Sequence, residues 1–528
     1  MHRQNENESD FTNLLLIMIR LNTLAKRTAM FLFAIACTVT ASAQFLRTSY
    51  TQDVPYKMQM NPAMVPTRGY VSPILGPLSA TVQSNAFGSD QIMDMLDSKD
   101  NYFQSSDFLN NLESNNNLNM NFGIDPIAFG WFKGKGFWSF NAGIRMEAGL
   151  TIPKSVFTMM NEMNGGGFED NDFWKTARKW DLAGEKVNIM MYGEVGVGYA
   201  RKITDKLTVG VKGKFLLGMA NLQFEMNTMK VETPAVDIDK INTIVANSNN
   251  LDWSNFKSYE DVKKAEEIVE MRKGIGGSAT VALNGTMKSS MGGLKWKKND
   301  NGNINNMEMK GFGISGYGLA VDLGATYQVL DNLLVTAAVT DLGFISWGKS
   351  NAQKIEINAN QTYNLNYGNG TTDVTTLTLA NYDQSKEHDL YDFAKKVSSN
   401  EIVNFDMLEM KETEGESYTT SLYSTIAIGA QYALLDNKLL VGALYTGHIA
   451  KPKTINELTL TGSYNLSSLL NLSLSYSMIQ SLGKSFGLGV KVGPLYAGTD
   501  YMFLGGNTKC ANALVGLSIP LGKGKKWL

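Results

Sequence analysis

The stretch Asn471-Leu-Ser-Leu-Ser-Tyr-Ser-Met478 indicates the fold class, because apolar and small polar side chains alternate along it without a break. Successive side chains of a β-strand point to opposite faces, so Leu472 and Leu474 share one face and the serines occupy the other. The same alternation recurs over 485–493 and 207–215. A strand with one apolar face and one small or polar face is typical of the wall of a membrane barrel, and also of a soluble β-sandwich.

Strand length and strand number separate these two possibilities. Candidate strands lie at 70–84, 120–132, 136–150, 186–201, 206–219, 276–290, 311–329, 332–347, 417–434, 437–450, 455–466, 470–479, 484–493, 494–504 and 511–520. Transmembrane strands need about 9–11 residues, whereas strands of globular proteins are most often about 5–6 residues long. Because most candidates have the greater length, and because single-chain bacterial barrels have even strand numbers, we predict an all-β transmembrane antiparallel barrel of about 14 strands, range roughly 12–16. The candidate 276–290 is the one least expected to belong to it.

The composition excludes several other classes. The chain has 528 residues, of which 19% are charged, with 50 glycines and a net charge of −2. The usual charged share is about 25%, and a low share with many glycines and aromatics argues against disorder and against an ordinary cytosolic α/β enzyme. A net charge near zero provides no basic field for nucleic acid. Three histidines and two cysteines are too few for a His/Cys zinc cluster.

The N-terminal residues have the pattern of an export signal. A basic pair and an apolar run over 26–40 precede Ala41-Ser42-Ala43, a typical cleavage site. We expect residues 1–43 to be a signal peptide with an upstream extension, cleaved between Ala43 and Gln44. The alternative, a lipoprotein signal at Cys37, lacks the usual leucine before the cysteine. The mature chain then has no apolar run of about 18 residues, as a transmembrane helix would need, so we expect an exported protein of the cell outer membrane.

The connections between the candidate strands fall into two classes. Three short hairpins, at 199–207, 327–333 and 432–439, each combine a tyrosine with an Asp turn, and Asp and Asn support turns by bonding their own backbone. The long polar connections are 151–185, 230–275, 291–310 and 351–416. Outer-membrane barrels place short turns on the periplasmic side and long loops outside.

Two further features of the wall and loops are predicted. Ser258–Lys273 should form a charged loop helix over the barrel mouth, with its apolar side formed by Tyr259, Val262, Ala265, Ile268 and Val269. Aromatic residues near strand ends should form interfacial girdles. These aromatic residues are Trp131, Phe132, Phe137, Trp138, Phe344, Trp347, Tyr432, Tyr445, Tyr496 and Tyr501.

Two glycine-rich stretches match nucleotide-binding patterns but lack the context that the chemistry needs. Gly343–Ser350 fits the phosphate-loop spacing, yet it contains bulky apolar residues and leads into a strand-like stretch. Gly311–Gly316 fits the dinucleotide spacing inside a glycine-rich strand, with no helix after it. We interpret the first as a strand end with a turn. The second we interpret as a wall strand whose glycines let a neighbouring side chain or a plug pack close.

The remaining candidates for chemistry are His448, His388 and the acidic cluster Glu412, Glu414 and Glu416. A catalytic His448 would need a serine and an orienting polar group within reach, and the acidic cluster lacks the spacing of an EF-hand. We interpret all of them as interface or solvated loop residues. The sequence therefore predicts no enzyme, no catalytic residue, no cofactor, no metal ligand and no nucleotide partner.

Asn61-Pro62-Ala63 stands between the export signal and the first strand. There it resembles the N-terminal hatch motif of FadL-like outer-membrane barrels, and of the PorV-like and PorP-like proteins of type IX secretion. The chain is more similar to an uncharacterised outer-membrane β-barrel family of the Bacteroidota, a domain of unknown function. That resemblance is carried by 122–157, by 192–218 and by Asp341–Trp347, and it extends over roughly 45–520.

The resemblance implies a FadL-like barrel formed by 70–528, with 44–69 as a plug in its lumen. It implies no activity, so two functions stay open. One is a channel or transporter for small or hydrophobic molecules, and the alternative is a PorV-like interaction protein in secretion or cell-surface assembly. The expected partners are outer-membrane lipid, together with a small hydrophobic ligand in the first case or a secretion or surface protein in the second.

Overall fold

The fold consists almost entirely of long antiparallel strands. The computed structural model describes residues 46–73, 76–86, 88, 106–162, 174–252, 257–272, 277–298, 304–364, 409–413, 415–451, 454–467, 469–479, 483–501 and 509–524. The strands are β1 (Gly69–Pro73), β2 (Leu78–Ser84), β3 (Asn115–Lys133), β4 (Gly136–Pro153), β5 (Arg178–Asp181), β6 (Lys186–Lys202), β7 (Leu207–Thr233), β8 (Ser278–Lys298), β9 (Ile304–Gly313), β10 (Gly316–Leu330), β11 (Leu333–Trp347), β12 (Ala352–Asn364), β13 (Glu409–Thr413), β14 (Tyr418–Ser421), β15 (Ser424–Leu434), β16 (Leu439–Ile449), β17 (Ile455–Asn465), β18 (Leu470–Ile479), β19 (Gly483–Val492), β20 (Leu495–Thr499), β21 (Cys510–Leu517) and β22 (Ile519–Leu521).

The described strands close into one barrel of 14 wall strands. The first wall strand is β1 followed by β2, and the last is β21 followed by β22. They close the barrel by antiparallel pairing of β1 with β22 and of β2 with β21. Between them run β3, β4, β6, β7, β10 and β11, then β14 with β15 as one interrupted strand, and β16 to β20. The prediction of a 14-stranded transmembrane barrel is confirmed. Residues 278–290 of the candidate 276–290 belong to β8, which lies outside the wall.

The two faces of the wall strands differ in the predicted way. On β18 the Leu474 side chain is 60% exposed on the outside, whereas Ser475 beside it is 5% exposed. The same holds on β7, where Val209 and Val211 are exposed and Thr208 is buried. An apolar outer face is what a barrel wall presents to lipid. Within the described residues, none of the helices is long and apolar enough to cross a bilayer.

The hairpin turns all lie at one end of the barrel. Short turns join β3 to β4, β6 to β7, β10 to β11, β15 to β16, β17 to β18, and β19 to β20. The three predicted Asp hairpins are among them. In the turn after β15, Leu435, Asp436 and Asn437 all have positive φ, between 53° and 66°, a conformation that Asp and Asn tolerate better than most residues. We call this end the short-turn end, and it is the periplasmic end in outer-membrane barrels.

Beyond the opposite end, the wall continues as a sheet of which the sequence predicted only the candidate strand 276–290. β7 is 27 residues long; its first half pairs with β10 and its second half with β8. β8 in turn pairs with β9 and β12, and β12 pairs with β13. The regions predicted as long loops are therefore partly strands, and hydrophobic alternation is weak there because charged and amide residues interrupt it.

Four α-helices are described at this end of the barrel: the last three pack on one face of the extension, and the first packs against the second. They are α1 (Ser106–Asn111), α2 (Lys154–Glu162), α3 (Ile238–Asn249) and α4 (Tyr259–Arg272). The predicted charged helix is confirmed as α4, whose Ala265, Ile268 and Val269 are buried. Tyr259 was predicted on its apolar side, which is wrong, since it is 85% exposed at the first turn. α4 packs on α3 and on sheet residues such as Val281, so it lies against the extension.

The prediction of aromatic girdles is only partly right. Four of the aromatic residues are exposed on the outer face: Trp131, Phe344, Tyr432 and Tyr445. Four others are buried: Phe137, Trp347, Tyr496 and Tyr501. Position near a strand end does not decide the face, because neighbouring residues point to opposite sides, so inward aromatics instead help to fill the lumen.

Candidate functional site

Residues 46–66 lie inside the barrel, between the short turns, where Asp53 contacts Lys491, and the opposite ends of β17 and β20, where Arg47 is bound. They form two 3₁₀ turns, Arg47–Ser49 and Pro55–Gln59, and then run to the first wall strand. Nearly every side chain is buried, including the polar ones, and their partners belong to wall strands remote in sequence. Tyr50 Oη lies 2.8 Å from Thr336 Oγ1 of β11, for example, and Ser463 Oγ of β17 donates to the Thr51 carbonyl at 2.9 Å.

Asn61-Pro62-Ala63 contacts three wall strands. The Asn61 Oδ1 atom accepts the Ala63 N–H at 2.9 Å, which forms the local turn at the proline. Its Nδ2 atom donates to the carbonyls of Ala325 and Ala337, each at 3.2 Å. These two residues face each other in the β10–β11 ladder, so a single side chain both shapes the turn and attaches it to the wall.

Glycines on the inner face of the wall make room for this contact. A Cβ atom on Gly324 of β10 would lie 2.0 Å from Asn61 Oδ1, and one on Gly210 of β7 would lie 2.4 Å from the carbonyl carbon of Pro62. Six more glycines would meet other residues of the segment: Gly429, Gly442, Gly487, Gly489, Gly498 and Gly516. The interpretation of wall glycines as places of close packing agrees with these contacts. The inner face of the wall is thus shaped to fit residues 46–63.

Arg47 anchors the other end of the segment. Its guanidinium is ion-paired with Glu457 and lies 3.4 Å from Asp500, and it donates to Tyr501 Oη at 2.6 Å. Asp500 also accepts the Thr48 N–H at 2.8 Å and its hydroxyl at 2.6 Å. Burial alone would lower the pKa of Arg47, but Glu457, Tyr501 and Asp500 hold that pKa above its usual value, so the side chain stays charged.

A layer of buried ion pairs lines the inner face of the wall from β3 to β7, beside the segment. On β4, Arg145 contacts Asp125 of β3 at 2.7 Å and Glu194 of β6 at 3.5 Å. Glu194 also contacts Lys212 of β7 at 3.1 Å, and Gln59 of the segment donates to Asp125 at 3.0 Å. Charges buried this deeply persist only when paired, so these side chains link adjacent wall strands to the N-terminal segment.

A second group of charges continues this layer around the wall. Lys214 of β7 contacts Asp322 of β10 at 2.8 Å and Asp341 of β11 at 2.5 Å. Asp341 has a φ of 59°, and its N–H donates to Asp322 at 2.8 Å where the β10–β11 register shifts. A non-glycine residue in this conformation is uncommon and is held by its surroundings. The irregularity turns the Asp341 carboxylate towards Lys214.

A small cavity lies between the segment and the wall. Its volume is about 40 Å³, with Tyr56, Met58 and Pro62 on one side and Asp125 and Lys212 on the other. It lies next to the interruption between β1 and β2, opposite which the β3–β4 register shifts between Ile124 and Ile127. Since such a volume admits only water-sized molecules, a larger solute passes here only if the segment or the wall moves.

The other sequence candidates lie elsewhere. Gly343–Ser350 is the end of β11 with a turn, as interpreted, and Gly311–Gly316 joins β9 to β10 rather than continuing one strand. His448 Nδ1 on β16 lies 2.8 Å from Thr425 Oγ1, and Glu412 on β13 pairs with Lys298 at 2.8 Å. Ala43, Gln44, His388 and Glu414 lie outside the described residues.

Sequence reasoning missed the charged residues of the lumen. It left Lys212, Arg145, Glu194 and Asp341 without a role. The alternation of side chains along each strand could have identified them, because a charged residue on the polar face of a wall strand points into the lumen. Which charged residues contact each other depends on the register between strands far apart in sequence, and alternation within one strand does not determine that register.

The wall and its filled lumen define a transmembrane β-barrel of the outer-membrane type. The chain belongs to the family of unknown function DUF5723, whose model matches residues 62–500. Comparison with curated proteins gives no significant sequence match.

Several solved structures are similar to this chain in fold. One is a TodX deltaS2S3 mutant monoaromatic hydrocarbon channel, with 10% identity, a TM-score of 0.38, and coverage of 89% of this chain and 95% of that chain. Another is the Pseudomonas putida toluene transporter TodX, with 9% identity, a TM-score of 0.33, and coverage of 91% and 93%. A Pseudomonas aeruginosa FadL homologue has 10% identity, a TM-score of 0.34, and coverage of 91% and 97%. At TM-scores below 0.5 these likenesses are too distant to indicate a function.

Proposed function

We propose that this protein is an outer-membrane channel or transporter for small or hydrophobic molecules, and that residues 46–66 are the plug that closes it. The observation that carries the proposal is the fit of this segment inside the barrel. A 14-stranded wall is too wide to be filled by its own inward side chains, and the segment lies in the remaining space. A barrel whose only task was to anchor loops would not need a fitted insert.

The way the segment is held supports a movable plug. It is joined to the wall covalently only at Gly69, and otherwise by hydrogen bonds, by packing against glycines and by the Arg47 ion pairs. Each of these contacts is individually worth only a few kcal/mol. The segment can therefore move while the antiparallel ladder of the wall stays intact.

Apolar surfaces on both sides of the ionic layer support a solute with an apolar part. Towards the long loops the lumen contains one cluster of buried side chains: Met190, Tyr192, Leu216, Ala320, Ile345, Trp347 and Leu422. Towards the short turns it contains a second: Met58, Val65, Tyr70, Ala128, Phe137 and Ala200. The two clusters would bind an apolar molecule on either side of a polar middle.

One observation favours the alternative of an interaction protein. The sheet extension with α3 and α4 is a large ordered surface beyond the wall, and a channel does not require it. A partner in secretion or surface assembly would bind there and leave the lumen closed. This alternative predicts that removing the plug creates a leak without any solute preference.

The test compares full-length protein with a variant lacking residues 46–65, each reconstituted in liposomes and planar bilayers. We expect the deletion to raise conductance, and to admit a small apolar aromatic solute faster than a polar solute of the same size. The control deletes 259–272, which lies outside the lumen, and should conduct like the full-length protein. Unchanged conductance would overturn the plug, and equal rates for the two solutes would overturn transport of hydrophobic molecules.

A further inference from the structure

We propose that the outer surface of β3, β4 and β6 at the short-turn end is a binding site for an anionic glycerophospholipid. The surface consists of a basic arc on three adjacent connections and of an aromatic patch directly above it. It lies outside the lumen and is independent of the plug. Charge, burial and strand register each contribute to the inference.

The cations of the short-turn end are concentrated on one side. The basic arc comprises seven exposed or half-buried side chains: Arg68, Lys133, Lys135, Arg201, Lys202, Lys206 and Lys523. They belong to the connections beside β1 and β22, between β3 and β4, and between β6 and β7, which are neighbours in the wall. Asp205 is the one acidic residue in these turns.

The other short turns lack this charge. The turn after β10 carries Asp331, the turn after β15 carries Asp436 and Lys438, and the turns after β17 and β19 carry no charged residue between their strands. Lys491, near the last of these, reaches into the lumen and donates to the Asp53 carbonyl at 2.6 Å. The cations are thus concentrated on three neighbouring connections of the seven described at this end, so general attraction to the membrane does not account for them.

Aromatic rings lie directly above the basic arc on the same outer face. Phe129 and Trp131 of β3 stack with centroids 5.7 Å apart, and Phe129 stacks on Phe140 of β4 at 5.0 Å. Trp138 of β4 packs against Tyr199 of β6 at 4.7 Å. Trp131 is 42% exposed. Aromatic rings at this depth mark the boundary between acyl chains and headgroups.

The register places cations just beyond these rings. Lys133 follows Trp131 by two residues and Arg201 follows Tyr199 by two, so each cation shares the outward face of its strand with the ring. Gly136 pairs with Lys133 on one side and with Arg201 on the other. Because neighbouring strands are about 4.8 Å apart, the Cα atoms of Lys133 and Arg201 are about 10 Å apart. Two side chains of this length can both reach one phosphate placed between them.

Gly136 itself places no side chain between the two cations. A Cβ there would lie 2.7 Å from the Tyr199 hydroxyl, so the ring of Tyr199 covers the glycine and presents its hydroxyl beside the two cations. A lipid phosphate would receive charge-assisted hydrogen bonds from Lys133 and Arg201. The acyl chains would lie along Trp131 and Val197, both exposed. An anionic phospholipid fits this surface, because its phosphate would meet the cations and its acyl chains would meet the apolar surface above them.

The test measures lipid binding to the full-length protein by native mass spectrometry in detergent. Phosphatidylglycerol is the anionic probe and phosphatidylcholine the zwitterionic reference. We expect a preference for phosphatidylglycerol that the triple variant Lys133→Gln, Lys135→Gln, Arg201→Gln loses. Each cation at a membrane surface raises the affinity for an anionic lipid about fivefold. The triple variant should therefore bind phosphatidylglycerol about 100-fold more weakly than wild type.

A second triple variant removes the same charge elsewhere. Lys438→Gln, Lys451→Gln and Lys484→Gln change exposed lysines outside the basic arc and should keep the preference. Heat-modifiable mobility on gels checks that each barrel is folded. Equal losses in the two triple variants would overturn the site, as would wild-type protein that binds the two lipids equally well.

Discussion

Gly210→Ala tests whether the segment is matched to the wall. A Cβ at this position would lie 2.4 Å from the Pro62 carbonyl carbon and 2.5 Å from the Ala63 nitrogen. Both are backbone atoms, so no side-chain rotation relieves the clash. Since carbon atoms rest at about 3.5–4.0 Å, the segment must shift by about 1 Å.

The magnitude follows from that shift. Overpacking by a methyl group costs about 1–3 kcal/mol, and here the cost falls on the seated segment, because the ladder of β7 is held by neighbours on both sides. This amounts to about 5- to 150-fold in the ratio of displaced to seated segment. We expect a higher frequency of channel openings in planar bilayers, with the thermal stability of the barrel nearly unchanged.

Gly213→Ala is the matched control on the same strand. Gly213 faces outwards, and a Cβ there would have nothing within 4 Å. It should behave as wild type. If Gly210→Ala conducts like wild type, or if both variants leak equally, the close packing of Pro62 against β7 does not keep the channel closed.

Three further predictions concern the wall, the anchor and export. Leu474→Arg should cost about 2–4 kcal/mol of barrel stability near the midplane, seen as a lower unfolding midpoint in urea. Ser475→Arg should insert normally but raise conductance, because it enters the space of the segment. Equal effects on stability would contradict the assigned faces. Arg47→Ala leaves two buried carboxylates without their cation, which should destabilise the seated segment by about 3–5 kcal/mol. It should therefore raise conductance, and Arg47→Lys should raise it less. If the bilayer current of Arg47→Ala equals that of wild type, the anchor is unimportant. N-terminal sequencing of protein from the outer membrane should begin at Gln44, and lipid on Cys37 would contradict this.

The wall was predictable from sequence because its alternation is local. Each residue such as Leu474 or Ser475 shows its face through its immediate neighbours, and the even strand number led to the exclusion of 276–290. The rest of the extension was missed because β12 and β13 are rich in amide and charged residues. β12 is stabilised by pairing with β8, and β13 by pairing with β12. These partners are distant in sequence, so local periodicity does not reveal the pairing.

The lumen was less predictable, for a related reason. Asn61-Pro62-Ala63 was singled out by resemblance, and its capping turn is the geometry expected of an Asx-Pro pair. The partners of Arg47 lie more than 400 residues away, and Asp341 meets Lys214 only through a register shift. Such contacts depend on the closed barrel, so no local pattern reveals them.

The central claim, that residues 46–66 control passage through the lumen, is tested most directly by a reversible lock. Thr48 Oγ1 and Ser475 Oγ lie 2.6 Å apart, so Thr48→Cys with Ser475→Cys allows a disulfide between segment and wall. Cys510→Ala removes the native thiol, and Arg47→Ala releases the anchor. We expect single channels of this protein to be closed when oxidised, to open on reduction and to close again on reoxidation. The same conductance in both redox states, with the disulfide verified by mass spectrometry, would contradict the account.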